Sequence, residues 1–503
     1  MASDRPARAD ELAAFMTALS QALHATVVET HISWVLLDGT SAWKIKKPVK
    51  LAFLDATRLE TRRQWCEDEV RLNRRLAPDL YLGVVPIHGT RVHPNLTGQG
   101  PVVDYMVHMR QFPADALLSH RMGPGQLDPA LLDDWARDLA RFHADAPAAT
   151  VGAQWGSSQS IEAGMQGVLD GLAAQHGVPQ TALSGLRAWA AEQATVLAPV
   201  WPVRQQVGRV VEAHGDLHLD NVLLWQGRVT AFDCIEFDPA LRWIDALSDT
   251  AFFAMDLVAH DREDLAWRFL NAYLDASGDH AGLPVLRHQL VYRALVRALV
   301  AKLRERQWRD QMARAPFGLA GRSMPQGPDY LALALRWAGV AAPLAAPQLV
   351  ITHGVSGSGK TVAAGLWSAR HEAIRLRSDV ERQRLFGAGA YAPEQTQRVY
   401  DRLFYLADQA LAAGWSVVVD ATFLAQAQRQ RFQALAQAHR APFQILHCEA
   451  PDAVLRQRIQ HRLALGRDAS EADLAVLAHQ QDTAEPLSQQ ELRHTLWSQA
   501  HQT

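Results

Sequence analysis

Apolar positions change their spacing several times along the chain. Near the start two alternating stretches, HISWVLL (31–37) and SAWKIKK (41–47), flank Asp38-Gly39. Alternation with period two predicts strands buried on one face, and Asp-Gly is a favoured two-residue connection, so the pair predicts a β-hairpin. From Asp128 to Leu335 most of the chain follows helical spacing. Between Ala338 and Gln348 the run AGVAAPLAAPQ has neither period and reads as a linker. Beyond it QLVITHGV, a Gly-rich turn and a helical stretch are followed by further strand and helix patterns, including SVVVDAT and FQILHCEA. That alternation predicts a parallel sheet with helices on both faces. No repeat relates the halves, so the expected organisation is two different modules, 1–337 and 348–503, joined by 338–347.

Composition narrows the class. With 503 residues, 20% charged and 48% hydrophobic, the chain is globular, which excludes disorder and fibres and predicts two to four domains. Lys plus Arg number 50 against 53 for Asp plus Glu, so no global basic field drives binding to nucleic acid or membrane. Cys66, Cys234 and Cys448 lack CxxC or Cys/His ligand spacing, which argues for a reducing compartment and against structural zinc. The N-terminal residues carry acids and no apolar signal core, and no apolar run reaches the roughly 18 residues that span a bilayer. A soluble, cytoplasmic protein is expected. Only six lysines stand against 44 arginines, and four of them, Lys44, Lys46, Lys47 and Lys50, fall in one seven-residue stretch. Compact ammoniums kept in an arginine-rich chain suit crowded phosphate sites.

Gly354-Val355-Ser356-Gly357-Ser358-Gly359-Lys360-Thr361 fits G-x-x-x-x-G-K-[ST] between an apolar strand and a helix, the context the motif requires. Glycines let backbone N–H groups approach phosphates, Lys360 neutralises the outer ones, and the Thr361 hydroxyl suits Mg²⁺. Phosphoryl transfer also needs a metal-side carboxylate and a base. Asp420 ends the run Val417-Val418-Val419 and is the expected metal-water carboxylate. Asp379 follows the next strand and could accept a hydroxyl proton, with Arg377 and Arg382 beside it for an anionic substrate. Arg456, Arg458, Arg462 and Arg467 form a candidate lid, Arg458 and Arg462 sharing a helix face at a spacing of four. The segment from about Gln348 onward resembles the P-loop small-molecule and polynucleotide kinases, including gluconate-kinase-like and zeta-toxin-like proteins. The resemblance implies that Asp379 is the base and that Arg458, Arg462 or Arg467 belongs to the lid.

A second motif lies upstream. In Val211 to Leu224, VEAHGDLHLDNVLL, an Asp precedes an Asn by five residues after His-Gly and before an apolar strand. This is the spacing of the H-R-D-x-x-x-x-N loop, in which the Asp takes or orients the acceptor proton and the Asn binds Mg²⁺. Asp216 and Asn221 occupy those positions, and Val229–Phe232 read as an apolar strand ending at Asp233, where a second metal carboxylate is expected. Glu236 and Asp238 enlarge the acidic cluster. This half resembles the aminoglycoside phosphotransferase and choline-kinase-like branch of the protein-kinase-like fold. The resemblance implies that Lys44, in Ala42-Trp43-Lys44, contacts the α/β-phosphates and that Glu69 is its helix-borne partner. Lys46 shares Lys44's face and Glu67 stands near Glu69, so both alternatives stay open. Tyr105–Phe112 falls where an adenine-binding hinge would lie. There is no G-x-G-x-x-G, and Cys234 follows Asp233 where D-F-G would have Phe.

The fold class expected is an α+β protein-kinase-like domain followed by an α/β P-loop domain with a parallel sheet. The whole resembles a bacterial family joining an aminoglycoside-phosphotransferase-like half to an ATP-binding half. The expected function is transfer of γ-phosphate from ATP·Mg²⁺ to small-molecule hydroxyls at two sites. Alternatives are a nucleotide-gated regulatory protein and a C-terminal nucleotide or polynucleotide kinase. From Ala346 onward 16 Lys and Arg face 15 Asp and Glu, which argues against a long nucleic-acid ligand and leaves a short 5′ end open. Asp245, Asp249 and Asp256 could suit a cationic acceptor, although the resemblance implies that Asp249 caps the catalytic loop as in related folds. Acceptor identity and oligomeric state are not encoded in any of these motifs.

Overall fold

The structure is a computed structural model that describes residues 9–497 apart from 31, 52–53, 315–326, 388–391, 466–469 and 471. Arg467 of the expected lid lies outside the described residues. The chain divides into two compact units, residues 1–160 with 202–253, and residues 161–201 with 254–503.

In the first unit a six-stranded antiparallel sheet runs in the order Thr26–Glu29, Ser33–Leu37, Ser41–Lys46, Val102–Arg110, Tyr81–Gly89, Pro94–Asn95. The predicted hairpin is its second and third strands, with Leu37 paired to Ala42 across the turn. Alternation sorts the side chains of Ser41–Lys46 to two faces. Ile45 packs with Phe15, Met16 and Leu19 of the helix Ala9–Leu23, and Trp43 lies against the same cluster. Ala42 packs with Cys66 and Val70 of the helix Leu59–Asn73 on the other face. Lys44 and Lys46 therefore share the face that meets Glu69. Tyr105–Arg110 belongs to a strand with neighbours on both sides.

The stretch 128–335 is less uniformly helical than its spacing suggests. Its first helix, Pro129–Asp145, starts as predicted, with Asp128 accepting from Ala130 N–H and Pro129 in the first turn. Four short strands interrupt the helices. Val210–Glu212 pairs with Trp243–Asp245, and Val222–Trp225 pairs with Arg228–Ala231 across Gln226-Gly227, both at positive φ as a type I′ turn requires. Val222–Trp225 and Arg228–Ala231 are the strands expected after Asn221 and before Asp233, whereas Val210–Glu212 and Trp243–Asp245 are three residues long, too short to show a period in sequence.

The second unit contains a five-stranded, all-parallel sheet in the order Ile374–Arg377, Val417–Asp420, Leu349–His353, Phe443–His447, Thr495–Trp497. Leu349–His353 and Val417–Asp420 are wholly buried, as parallel strands covered on both faces must be, while in Ile374–Arg377 buried apolar residues alternate with half-buried arginines. The helices between 254 and 337 belong to this unit, docked on the sheet edge through Asn271. Its amide oxygen accepts from Arg375 N–H (2.7 Å), and its amide nitrogen donates to Ala373 O and Ser368 Oγ (3.0 Å each). One side chain thus satisfies the free edge of Ile374–Arg377 as a neighbouring strand would. Trp415 Nε1 donating to Leu283 O (3.0 Å) adds a second tie. Among the described residues no helix is long and apolar enough to cross a membrane.

Candidate functional sites

In the first unit Lys44 Nζ donates to Glu69 Oε1 at 2.9 Å and to Asp233 Oδ1. Lys46 Nζ donates to Glu69 Oε2 and to Glu236 Oε1. Both lysines therefore meet Glu69, which is wholly buried. Glu67 points elsewhere on its helix and pairs with Arg63 at 2.9 Å, half-exposed. Burial would pull the Lys44 ammonium down, but Asp233, Glu69 and Glu236 outweigh it and hold the group well above its usual range. Burial pushes Asp233 up, and Lys44 outweighs that, leaving its carboxyl below the ordinary value. For Glu236 burial prevails over Lys46, and its carboxyl is raised.

The backbone around Asp233 is held from two sides. Asp233 has φ +62°, an uncommon state for a residue other than glycine, and its N–H donates to Tyr81 Oη at 3.0 Å. The next N–H, of Cys234, donates to Asn73 Oδ1 at 2.9 Å. This turn aims the Asp233 carboxylate at Lys44.

The loop after Val210–Glu212 is fixed by Asp249. Its carboxylate accepts from Gly215 N–H (2.8 Å) and His214 N–H (2.6 Å), with His143 Nε2 at 3.4 Å. Gly215 has φ +87°, and a β-carbon there would strike Leu241 O, so only glycine fits. His214 Nε2 lies 2.9 Å from Phe232 O, while its Nδ1 receives Asp216 N–H at 3.3 Å. Those partners fit a neutral ring protonated at Nε2, consistent with burial pulling its pKa below the usual value. Asn221 Nδ2 donates to Asp216 O (2.9 Å) and Asp216 Oδ2 (3.0 Å), and His218 Nε2 stands 3.3 Å from the same carboxylate. The fold thus gathers Asp216 with Asn221, and Lys44 with Glu69 and Asp233. Asp245 is bound to buried Arg204, and Asp256 accepts from Tyr330 Oη at 2.6 Å.

In the second unit residues 354–361 join Leu349–His353 to the helix Lys360–Arg370. Gly354 (φ +142°) lies against Cys448 O, which a β-carbon would strike, and Gly357 and Gly359 also have positive φ. Lys360 Nζ donates to Val355 O at 2.7 Å. Burial lowers the pKa of this ammonium, against the opposing pull of Asp420 and Asp379, whose fields both reach it. Thr361 is the second helical residue. Arg377 pairs with Asp420 in parallel register, which brings Asp420 and the neighbouring Asp379 to the same carboxyl edge.

The arginines flanking Asp379 have internal roles. Arg377 lies between Asp275 (3.7 Å) and Asp420 (3.8 Å), and largely buried Arg382 donates to Thr396 Oγ1 at 3.4 Å. Arg458 donates to Gly357 O of the loop at 3.3 Å, Arg462 to Ala472 O at 2.7 Å, and Arg456 pairs with Asp452 on the surface. Arg458 thus touches the loop directly, and Arg462 ties its helix to the next segment. Gln480, which no motif marked, accepts Ser356 N–H at 2.7 Å. A groove of about 530 Å³ lined by Leu366, Trp367, Leu446 and Leu496 contains none of the candidate residues. Sequence reasoning missed Gln480, Asn271, Tyr81, Asn73 and the Lys46–Glu236 pair; only the local crowding of lysines and acids hinted at the last.

Residues 349–487 match the family described as AAA domain. The C-terminal region is therefore a P-loop domain with a parallel sheet. An uncharacterized protein of Mycobacterium tuberculosis is 28% identical over 483 residues, 92% of each chain, and one of Mycobacterium bovis aligns equally. Among solved structures, a sugar kinase from Janibacter is 21% identical over 31% of this chain and 87% of its own, with a TM-score of 0.25. A gluconokinase from Sinorhizobium meliloti is 18% identical over 31% and 83%, with a TM-score of 0.24. The Mycobacterium tuberculosis APS kinase CysC is 20% identical over 31% and 91%, with a TM-score of 0.25.

Proposed function

We propose that the chain is an ATP-dependent phosphotransferase with two ATP·Mg²⁺ sites, each serving a small-molecule hydroxyl acceptor, and that its N-terminal half works as an aminoglycoside-phosphotransferase-like domain of the protein-kinase-like fold. The observation that carries the first site is the double contact of Lys44 with Glu69 and Asp233, the latter 189 positions away in sequence. A merely structural ion pair needs no carboxylate turned inward from a strained backbone at Asp233.

The residues present suit the nucleotide and its metal. Gly354 leaves room beside Cys448 O that any side chain would fill, and buried Lys360 supplies a positive charge beside the loop. Asp216, Asn221 and Asp233 offer hard oxygen donors. Among the described residues no three His, Cys, Asp or Glu groups form a closed metal cage. Mg²⁺ takes one or two carboxylates and completes its shell with phosphate and water. Bound there, ATP·Mg²⁺ supplies the phosphoryl group and neutralises its charge.

In this reading the Asp216 carboxylate, oriented by Asn221 Nδ2, accepts the proton of the attacking hydroxyl. Lys44 binds phosphate, and Asn221 and Asp233 hold the metal. In the P-loop domain the backbone N–H groups of 354–361 and Lys360 bind phosphates, Thr361 and Asp420 serve the metal, Asp379 takes the acceptor proton, and Arg458 and Arg462 cover the transferred group. The test is ATP-dependent labelling of a pool of small hydroxyl compounds, aminoglycosides, nucleosides and short 5′-hydroxyl oligonucleotides. Asp216→Ala and Lys360→Ala are each expected to lose a different labelled product. Loss of the same products in both variants, or binding of ATP with no labelling by the wild type, would overturn the reading.

A further inference from the structure

The strand Ser41–Lys46 carries a second lysine that the phosphotransfer reading does not use. The Lys46 side chain is 2% exposed, and its ammonium bonds Glu69 Oε2 and Glu236 Oε1. Glu69 therefore carries one lysine on each oxygen. Charges alternate in the order Glu236, Lys46, Glu69, Lys44, Asp233. Of the two ends, the Asp233 side chain is 40% exposed and the Glu236 side chain 4%. A nucleotide can reach the Asp233 end, whereas Lys46 is sealed behind Glu69 and cannot touch one.

The backbone that carries this row is fixed without Lys46. Asn73 holds Cys234 N–H (2.9 Å) and Arg62 meets Asp104 (3.0 Å), both from the helix that bears Glu69, and Arg75, just past its end, donates to Glu212 O (2.6 Å). Arg242 holds Glu236 O at 3.2 Å. What Lys46 adds is the orientation of the Glu69 carboxylate itself. Burial opposes the Lys46 charge, but Glu236 and Glu69 outweigh it and raise its pKa, so the ammonium persists.

We propose that Lys46, anchored by Glu236, is a positioning residue that fixes the Glu69 carboxylate, so that Lys44 keeps one anchored contact while its other passes from Asp233 to a nucleotide phosphate. The inference rests on the reading of this site as a nucleotide site. Lys44 has three N–H donors, two of them engaged by Glu69 and Asp233. If Glu69 were free to rotate, release of Asp233 would leave Lys44 held by nothing that fixes its direction. Two ammoniums also face three carboxylates in the row. Removing Lys46 alone therefore strands a buried carboxylate, which lowers stability as well as misplacing Glu69.

The two effects separate with an acyl phosphate of ATP as probe, on full-length protein carrying Lys360→Ala to silence the P-loop. A lysine beside the bound phosphates attacks the probe's acyl carbon as its free amine: an N–C amide bond forms, the C–O bond to phosphate breaks, ATP leaves with that oxygen, and the two protons lost between ammonium and amide go to solvent. Mass spectrometry then identifies the lysine. In the parent protein Lys44 is expected to be labelled and ATP to protect it. Lys46→Met is expected to slow Lys44 labelling about tenfold while the half-protecting ATP concentration moves less than about threefold. The double variant Lys46→Met/Glu236→Gln removes the stranded charge; it is expected to regain the parent's thermal midpoint yet label as slowly as Lys46→Met. Unchanged labelling in Lys46→Met, or full recovery of labelling in the double variant, would overturn the positioning role and leave the nucleotide site standing. No ATP-protected labelling of Lys44 in the parent would overturn the nucleotide site, and the positioning role with it.

Discussion

Replacing Asp249 by alanine tests how the loop after Val210–Glu212 is held. Its carboxylate accepts two buried backbone N–H groups, from His214 at 2.6 Å and Gly215 at 2.8 Å, and itself has no solvent exposure. A hydrogen bond to a charged acceptor contributes about 1.5–3 kcal/mol, so losing two costs about 3 kcal/mol at the low end. Each 1.4 kcal/mol or so is a factor of ten, so local opening of this loop becomes about a hundredfold more frequent. The assay is amide hydrogen exchange by mass spectrometry on peptides spanning residues 210–218. Asp249→Ala is expected to speed exchange there by about two decades. Asp249→Asn, which keeps one acceptor oxygen, should fall between it and the wild type. Acceleration below about threefold in Asp249→Ala, with the protein folded, would show that the loop stands without its carboxylate.

Other expectations concern the second unit. Asn271→Ala leaves Arg375 N–H and Ala373 O without their partner, which should lower the stability of the P-loop unit by about 2–4 kcal/mol in a denaturant titration; a shift under 1 kcal/mol or so would contradict the edge-docking role. His280, His288 and His353 are pulled from 6.5 down to about 4, chiefly by burial. Their folded pKa values lie below the unfolded ones, so the unfolded chain binds the extra protons. Stability should be flat above about pH 6.5 and fall as pH drops towards 4, and His288→Phe should remove about one proton from that slope. An unchanged slope in His288→Phe would show that this ring is not held neutral. Gly354→Ala should abolish nucleotide binding by the P-loop through collision with Cys448 O, and retained binding would show that the turn can shift.

Features that announce themselves in sequence are those in which chemistry and backbone demand fixed residues at fixed spacing. The loop 354–361 is legible because glycines at positive φ, a lysine and a hydroxyl follow one another in a strand–turn–helix context. Asp216 and Asn221 are legible because both project from one tight turn, and Gly215 is glycine because Leu241 O leaves no room for a side chain. The pairing of Lys44 with Glu69 was reachable only through resemblance, and the sequence could not separate Lys46 from Lys44, since both lie on the same face and both bond Glu69. Glu67 was separable only by the helix's rotation, which turns it out to Arg63. Asn271 was invisible: a single amide replacing a strand's hydrogen bonds has no period, and its partners lie about a hundred residues away. The strands Val222–Trp225 and Arg228–Ala231 were legible beside the loop, whereas Val210–Glu212 and Trp243–Asp245 are too short to show a period, and the contact of Arg377 with Asp275 could not be read because that residue comes from a helix about a hundred residues earlier.

The central claim, two nucleotide sites on one chain, is tested most directly by the stoichiometry of Mg·ATP binding to the full-length protein in equilibrium dialysis. Two ATP are expected per wild-type chain, one in Lys44→Ala, one in Lys360→Ala and none in the double variant. A wild-type value of one that is lost in Lys360→Ala and unchanged in Lys44→Ala would contradict it, leaving the P-loop as the single nucleotide site.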